Sequence, residues 1–125
     1  MKGKLDRVAV FDSGDRCPEL PLVEGAGFAR AVVWPGVGAN IRSMHRIKLP
    51  AGAQTVEQKH PGEAVYFVLA GAGGVREGRA EQPLIEGSMV HIEPGTRYRF
   101  KAGAKGIDLI GGPCPPDPSL YVGLK

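Results

Sequence analysis

Residues 49–71 read LPAGAQTVEQKHPGEAVYFVLAG, and residues 87–100 read GSMVHIEPGTRYRF. In both stretches, short apolar runs are cut by glycine and proline at turn spacing. Ala64–Ala70 follows a turn at Pro61 and Gly62. Strands over Ser88–Ile92 and Arg97–Lys101 flank a second turn at Pro94 and Gly95. Side chains alternate along a strand, so positions 58 and 60 share one face.

The same pattern extends outward. Asn40–Leu49 (NIRSMHRIKL) puts Ile41, Ser43, His45, Ile47 and Leu49 on one face, and Arg42, Met44, Arg46 and Lys48 on the other. Phe28–Trp34 predicts a strand stopped by Pro35 and Gly36, and Leu5–Phe11 predicts a first strand. Gly71–Gly74 reads as a turn, and Val75–Gln82 as a hairpin turning at Glu77 and Gly78. Ile107–Ile110 is the last clear strand. In the tail Gly112–Pro118 (GPCPPDP), prolines lack the N–H a central sheet needs. The tail is therefore expected to run extended over the surface or onto a neighbouring subunit, with Leu120–Val122 as an edge strand.

Composition sets bounds. A chain of 125 residues suits one domain, and 19 Gly with 11 Pro favour many short strands over long helices. Sixteen basic and 13 acidic residues leave a net charge of +3, with the basic residues scattered. No basic block or aromatic-interleaved stripe points to nucleic acid. No apolar run approaches the ~20 residues of a membrane span, and the charged start MKGKLDR lacks a signal-peptide core. Cys17 and Cys114 form no Cys-x-x-Cys pair and read as reduced thiols of a cytoplasmic protein, with a bridge between them as the alternative. No nucleophile elbow, phosphate loop or dinucleotide fingerprint is present. Eight to ten short strands at this spacing make an all-β sandwich or barrel.

The two opening stretches resemble the two motifs of the cupin superfamily. The resemblance covers residues 40–111. It implies a double-stranded β-helix, a jelly-roll-like barrel, as a single domain over 1–125. The core barrel would run from about 28 to 111, with the N-terminal strand and the proline-rich tail as peripheral arms. It also implies a homodimer, for which outward Val65, Phe67 and Leu69 could supply apolar surface, the alternative being that these residues pack inside a two-sheet sandwich.

Cupin motifs usually supply a His-x-His pair, a glutamate and a later histidine to a metal. Those four positions fall here on Gln58, His60, Ala64 and Tyr98, so only His60 keeps its ligand type. Three imidazoles and a carboxylate suit Mn, Fe, Ni or Zn, whereas glutamine is weak, alanine is no ligand and tyrosine binds well only as phenolate. A divalent metal would therefore need a rebuilt set from His60, His45, Gln58 and Tyr98. His45 is the natural addition because of the face it shares. Glu57, Glu63 and His91 have the wrong parity and are expected outside or in packing roles.

Without a metal, His60 and Tyr98 could act as an acid/base pair, because imidazole titrates near neutrality and a phenol can donate to an oxyanion. Gln58, His45, Tyr66 and Phe100 would line the pocket. Two functional readings follow, an enzyme or former enzyme acting on a small metabolite, and a non-catalytic module binding a sugar or carboxylate. The bland alternatives are a hydrogen-bonded core histidine and barrel-filling aromatics. A purely structural or partner-binding role through the tail or a sheet face ranks third.

Overall fold

The computed structural model describes residues 7–124. Its strands are β1 (Val23–Glu24), β2 (Phe28–Val33), β3 (Met44–Leu49), β4 (Gln54–Thr55), β5 (Glu63–Glu77), β6 (Ala80–Leu84), β7 (Met89–Ile92) and β8 (Arg99–Cys114). Short 3₁₀ turns cover Pro35–Val37 and Pro118–Tyr121. All strand pairs are antiparallel, and the ladder runs β1-β4-β8-β3-β2. β5 joins it through β8 and also pairs β6 and β7. The result is an all-β, near-closed double-stranded barrel. Among the described residues, no helix is long and apolar enough to cross a membrane.

Alternation builds the core as the pattern requires. On β3 and the residue before it, Ser43, His45, Ile47 and Leu49 are buried. On β5, Ala64, Tyr66 and Val68 point inward, while Val65 and Leu69 stay exposed. On β8, Phe100 and Ala102 are buried, and so are Ile107 and Leu109. The switch from even to odd positions falls across Gly103–Gly106, where β8 bends without ending.

Several expectations need correction. The expected strands 97–101 and 107–110 are parts of one bent strand, β8. Gly71–Gly74 is not a turn but the bend of β5, with register shifts between Val68 and Ala70 and between Gly71 and Gly73. The reason is close backbone approach. A Cβ on Gly73 would lie 2.1 Å from the Lys101 carbonyl oxygen, and one on Gly71 would lie 2.2 Å from that of Gly106. The hairpin turns one residue later than expected, at Gly78 and Arg79. Ile41 is exposed, because β3 begins only at Met44. Of the expected first strand, residues 5–6 lie outside the described residues, and 7–11 hold only an isolated bridge at Val8.

The tail departs most. Gly112, Pro113 and Cys114 do join the sheet, opposite Val65, Ala64 and Glu63. Pro113 is tolerated because β3 no longer lies beside it. Its carbonyl accepts from Ser43 Oγ at 2.6 Å, and its nitrogen faces the same way, where no strand asks for an N–H. Leu120–Val122 is not an edge strand, since Pro118–Tyr121 forms a 3₁₀ turn. The tail does not spread over the surface either, because Asp117 and Tyr121 are buried against the barrel.

Gly71 has a φ of +79° as well as no room for a side chain. Gly71→Ala is expected to cost about 2 kcal/mol or more. Denaturant unfolding checks this, and unchanged stability would contradict the close β5–β8 approach.

Candidate functional site

Gln58 and Tyr98 sit directly opposite each other and exchange both backbone hydrogen bonds, at 2.8 and 2.9 Å. His60 follows at the same parity, and Gly95 N–H donates to its carbonyl at 2.8 Å. Alternation on β5 and β8 then turns Tyr66 and Phe100 toward the same space. Gln58, His60, Tyr66, Tyr98 and Phe100 are all buried together, with the Tyr66–Phe100 and Tyr98–Phe100 rings edge-on.

Two hydrogen-bonded chains run through this interior. In the first, His60 Nδ1 lies 2.8 Å from Asp117 Oδ2, and His60 Nε2 lies 2.8 Å from the Tyr98 hydroxyl. The Tyr66 hydroxyl is 2.6 Å from that of Tyr98. The carboxylate accepts only, so Nδ1 carries the proton and Nε2 accepts from Tyr98. Tyr66 then donates to Tyr98. Gln58 Oε1, at 3.4 Å from the Tyr98 oxygen, loses the competition for that one proton.

In the second chain, His45 Nε2 lies 2.6 Å from the Tyr121 hydroxyl. His45 Nδ1 is buried with no partner, a state that costs less for a bare lone pair than for an N–H. The proton therefore sits on Nε2 and is donated to Tyr121. Ser43, two residues before His45, donates separately to the Pro113 carbonyl. The two histidines thus lie on separate chains, and each ends on a residue of the tail.

The electrostatics follow from burial. Desolvation, with a smaller electrostatic contribution from nearby His60, pushes His45 down to about 4. Burial pushes the Tyr66 and Tyr98 phenols well above the ordinary tyrosine value, and for Tyr98 the neighbouring Tyr66 and the Asp117 charge act the same way. Burial also raises Tyr121. For Asp117, burial works against the charge, but hydrogen bonds from His60 and from the Ser119 side chain and backbone outweigh it and hold the carboxyl below its usual value.

A cleft of about 610 Å³ lies between the β5–β6 hairpin and β7. Tyr98 forms part of its wall, with Arg76, Gln82, Glu93 and Thr96 as polar neighbours. Glu63 and His91 lie outside the barrel, paired with each other at 2.7 Å. Glu57 also faces outward, 3.7 Å from Arg97. Both cysteines are free.

The residues present do not fit a divalent transition metal. Both His60 nitrogens are engaged, Ala64 offers no donor, and Tyr98 is kept a neutral phenol by its surroundings. His45 is drawn into its own chain with Tyr121. Among the described residues, no three His, Cys, Asp or Glu side chains gather in a group able to hold such an ion.

Residues 45–108, just over half the chain, match the family model of the cupin domain. The chain belongs to the cupin family. Solved structures agree on the cupin fold. A cupin-like protein from Thermotoga maritima is 22% identical, with a TM-score of 0.71 over 85% of this chain and 80% of its own. A predicted oxalate decarboxylase from the same organism is 19% identical, with a TM-score of 0.69 over 85% of this chain and 98% of its own. KdgF from Halomonas sp. is 16% identical, with a TM-score of 0.66 over 82% of this chain and 92% of its own. No curated protein matches the chain.

Sequence reasoning missed Asp117 and Tyr121. A local signal exists for the first. Asp117, Pro118 and Ser119 form a helix start, with the Asp117 side chain accepting from Ser119 N–H and proline in the first turn.

The His45 shift has a sign that can be tested. Its folded value near 4 lies below the unfolded ~6.5, so the unfolded chain binds the extra proton between them. Stability should therefore fall as pH drops from about 6.5 to about 4, by about 3 kcal/mol from this residue. Chemical denaturation across that window checks it. A His45→Asn variant should lose most of that slope.

Proposed function

We propose that this cupin is a proton-transfer enzyme acting on a small metabolite, with Asp117, His60 and Tyr98 as its working relay. The carrying observation is the unbroken chain from Asp117 through both His60 nitrogens to the Tyr98 hydroxyl, with Tyr98 in the wall of the cleft.

The chain works in both directions. As a substrate gives a proton to the Tyr98 oxygen, the phenol's own proton passes to His60 Nε2. The imidazolium that forms is paired with the Asp117 carboxylate. Reversal returns a proton to another face or atom of the substrate. Such a shuttle serves epimerisation, cyclisation or elimination and needs neither oxidant nor reductant. A neutral Tyr98, held so by burial, also donates to a developing oxyanion. Tyr66 fixes the Tyr98 oxygen, Phe100 packs beside both rings, and Gln58 lines the interior.

One observation favours the second reading, a non-catalytic sugar- or carboxylate-binding module. His60 and Tyr98 are only 3% and 2% exposed, and their hydrogen-bonding groups already have partners. The two readings separate by experiment. The protein is incubated in deuterated solvent with aldoses, hexuronates, hydroxy acids and keto acids, and carbon-bound deuterium is read by NMR. Exchange should occur with a member of this panel and fall about 10²–10⁴-fold in Tyr98→Phe and His60→Ala. A raised melting temperature without exchange supports the binding module. Exchange unaffected by His60→Ala removes the relay from the reaction.

Val65 and Leu69 on β5 and Met89 on β7 expose apolar surface on one outer sheet face, where Phe67 lies opposite Met89. We propose that two copies pair there. Sedimentation should show a dimer that Val65→Lys with Met89→Glu converts to monomer. A monomeric parent chain would refute the pairing.

A further inference from the structure

The segment 115–124 crosses the barrel end where His45 and His60 lie. Among the described residues, its backbone makes no hydrogen bond to the barrel. Its main-chain bonds are internal, from Leu120 N–H to the Asp117 carbonyl and from Leu124 N–H to that of Tyr121. The attachment is made by side chains alone. Asp117 holds His60, Tyr121 holds His45, and the Tyr121 ring lies 5.2 Å from that of Trp34. Leu120 and Leu124 add partly buried apolar contact. A segment stitched in by ladder hydrogen bonds opens only with its sheet. One held by a few side chains opens on its own, at lower free energy.

We infer that residues 115–124 are a lid whose closure delivers Asp117 to His60. The inference rests on the proposed relay and adds its regulation. With the lid closed, the carboxylate fixes the His60 proton on Nδ1 and leaves Nε2 free to accept from Tyr98. With the lid open, nothing sets that tautomer, and the barrel end above both histidines is uncovered. Asp117 is thus a positioning residue brought in by a moving segment, a device that ties closure to assembly of the site. The hinge lies just past Cys114, where β8 and its pairing with β5 end.

The test reads opening directly and does not depend on finding a substrate. Diethyl pyrocarbonate acylates accessible imidazoles, and the three histidines report separately by peptide mass. Exposed His91 is the internal reference. The full chain is compared with Tyr121→Phe, Asp117→Asn and the double variant, with amide hydrogen exchange followed in parallel. Tyr121→Phe removes the hydroxyl that holds His45, Asp117→Asn removes the charge that strengthens the His60 pair, and both keep the Trp34 contact and the residue volumes. In the double variant, His45 and His60 should react at least about tenfold faster, His91 at its original rate, and amide protection in β8 should not change. In the parent chain, the amides of 115–124 should exchange well before those of β8. Labelling that rises only together with loss of β8 protection would show a structural clasp and overturn the lid. So would a tail as protected as β8. Failure of the relay itself would appear instead as unaltered solvent exchange into substrate in His60→Ala.

Discussion

The closeness of β5 and β8 is the constraint from which the rest of the structure follows. These two strands pair over nearly their whole lengths and bend as they do so. At the bend the backbones approach so closely that Gly71 and Gly73 have no space for a Cβ. The register shifts there, and the inward parity of β8 changes between Ala102 and Ile107. Both halves of each strand thereby face one interior. Tyr66 and Phe100 meet across that interior, and Tyr98 enters it from the start of β8. A straight pair would have turned half of these side chains to solvent.

The interior so formed is polar, and most of its polar groups are satisfied by direction as well as by number. The first chain has a donor sequence that ends on the Asp117 carboxylate, and in the second His45 donates to Tyr121, while Ser43 is satisfied separately by the Pro113 carbonyl. That ordering lets two imidazoles and three phenols share a low-dielectric space at modest cost, since a buried group is expensive mainly when unpaired. The exceptions are the His45 Nδ1 and the Gln58 amide nitrogen. The same ordering explains why the donor set does not suit metal ligation. Phenol and imidazole complete one another at His60, and the one spare imidazole lone pair, on His45 Nδ1, belongs to no group of three His, Cys, Asp or Glu side chains among the described residues.

Much of this was legible in the chain. Alternation around His45, His60, Tyr66, Tyr98 and Phe100 placed all five inside, and it placed Glu57, Glu63 and His91 outside, because side-chain direction along a strand depends only on parity. The glycine and proline punctuation indicated an all-β sandwich or barrel, and the resemblance of the two motifs to cupins implied the barrel and the family. The glycines of 71–74 were misread as a turn because glycine serves chain reversal and close backbone packing equally well. Only the neighbouring strand distinguishes the two uses. The proline objection to the tail failed at Pro113 for a similar reason, since a proline is costly only on the side where a neighbouring strand requires its N–H.

Sequence alone determined the all-β strand pattern and which residues share a face, because these rest on local periodicity and local turn chemistry, and the motif resemblance implied the barrel. The tertiary structure decided what the inward groups touch. Asp117 stands 57 residues from His60, and Tyr121 stands 76 residues from His45. Neither pairing has a spacing rule. The tail that carries both residues has no periodicity to read, so its path is set by the barrel end it crosses and by Trp34 beneath it.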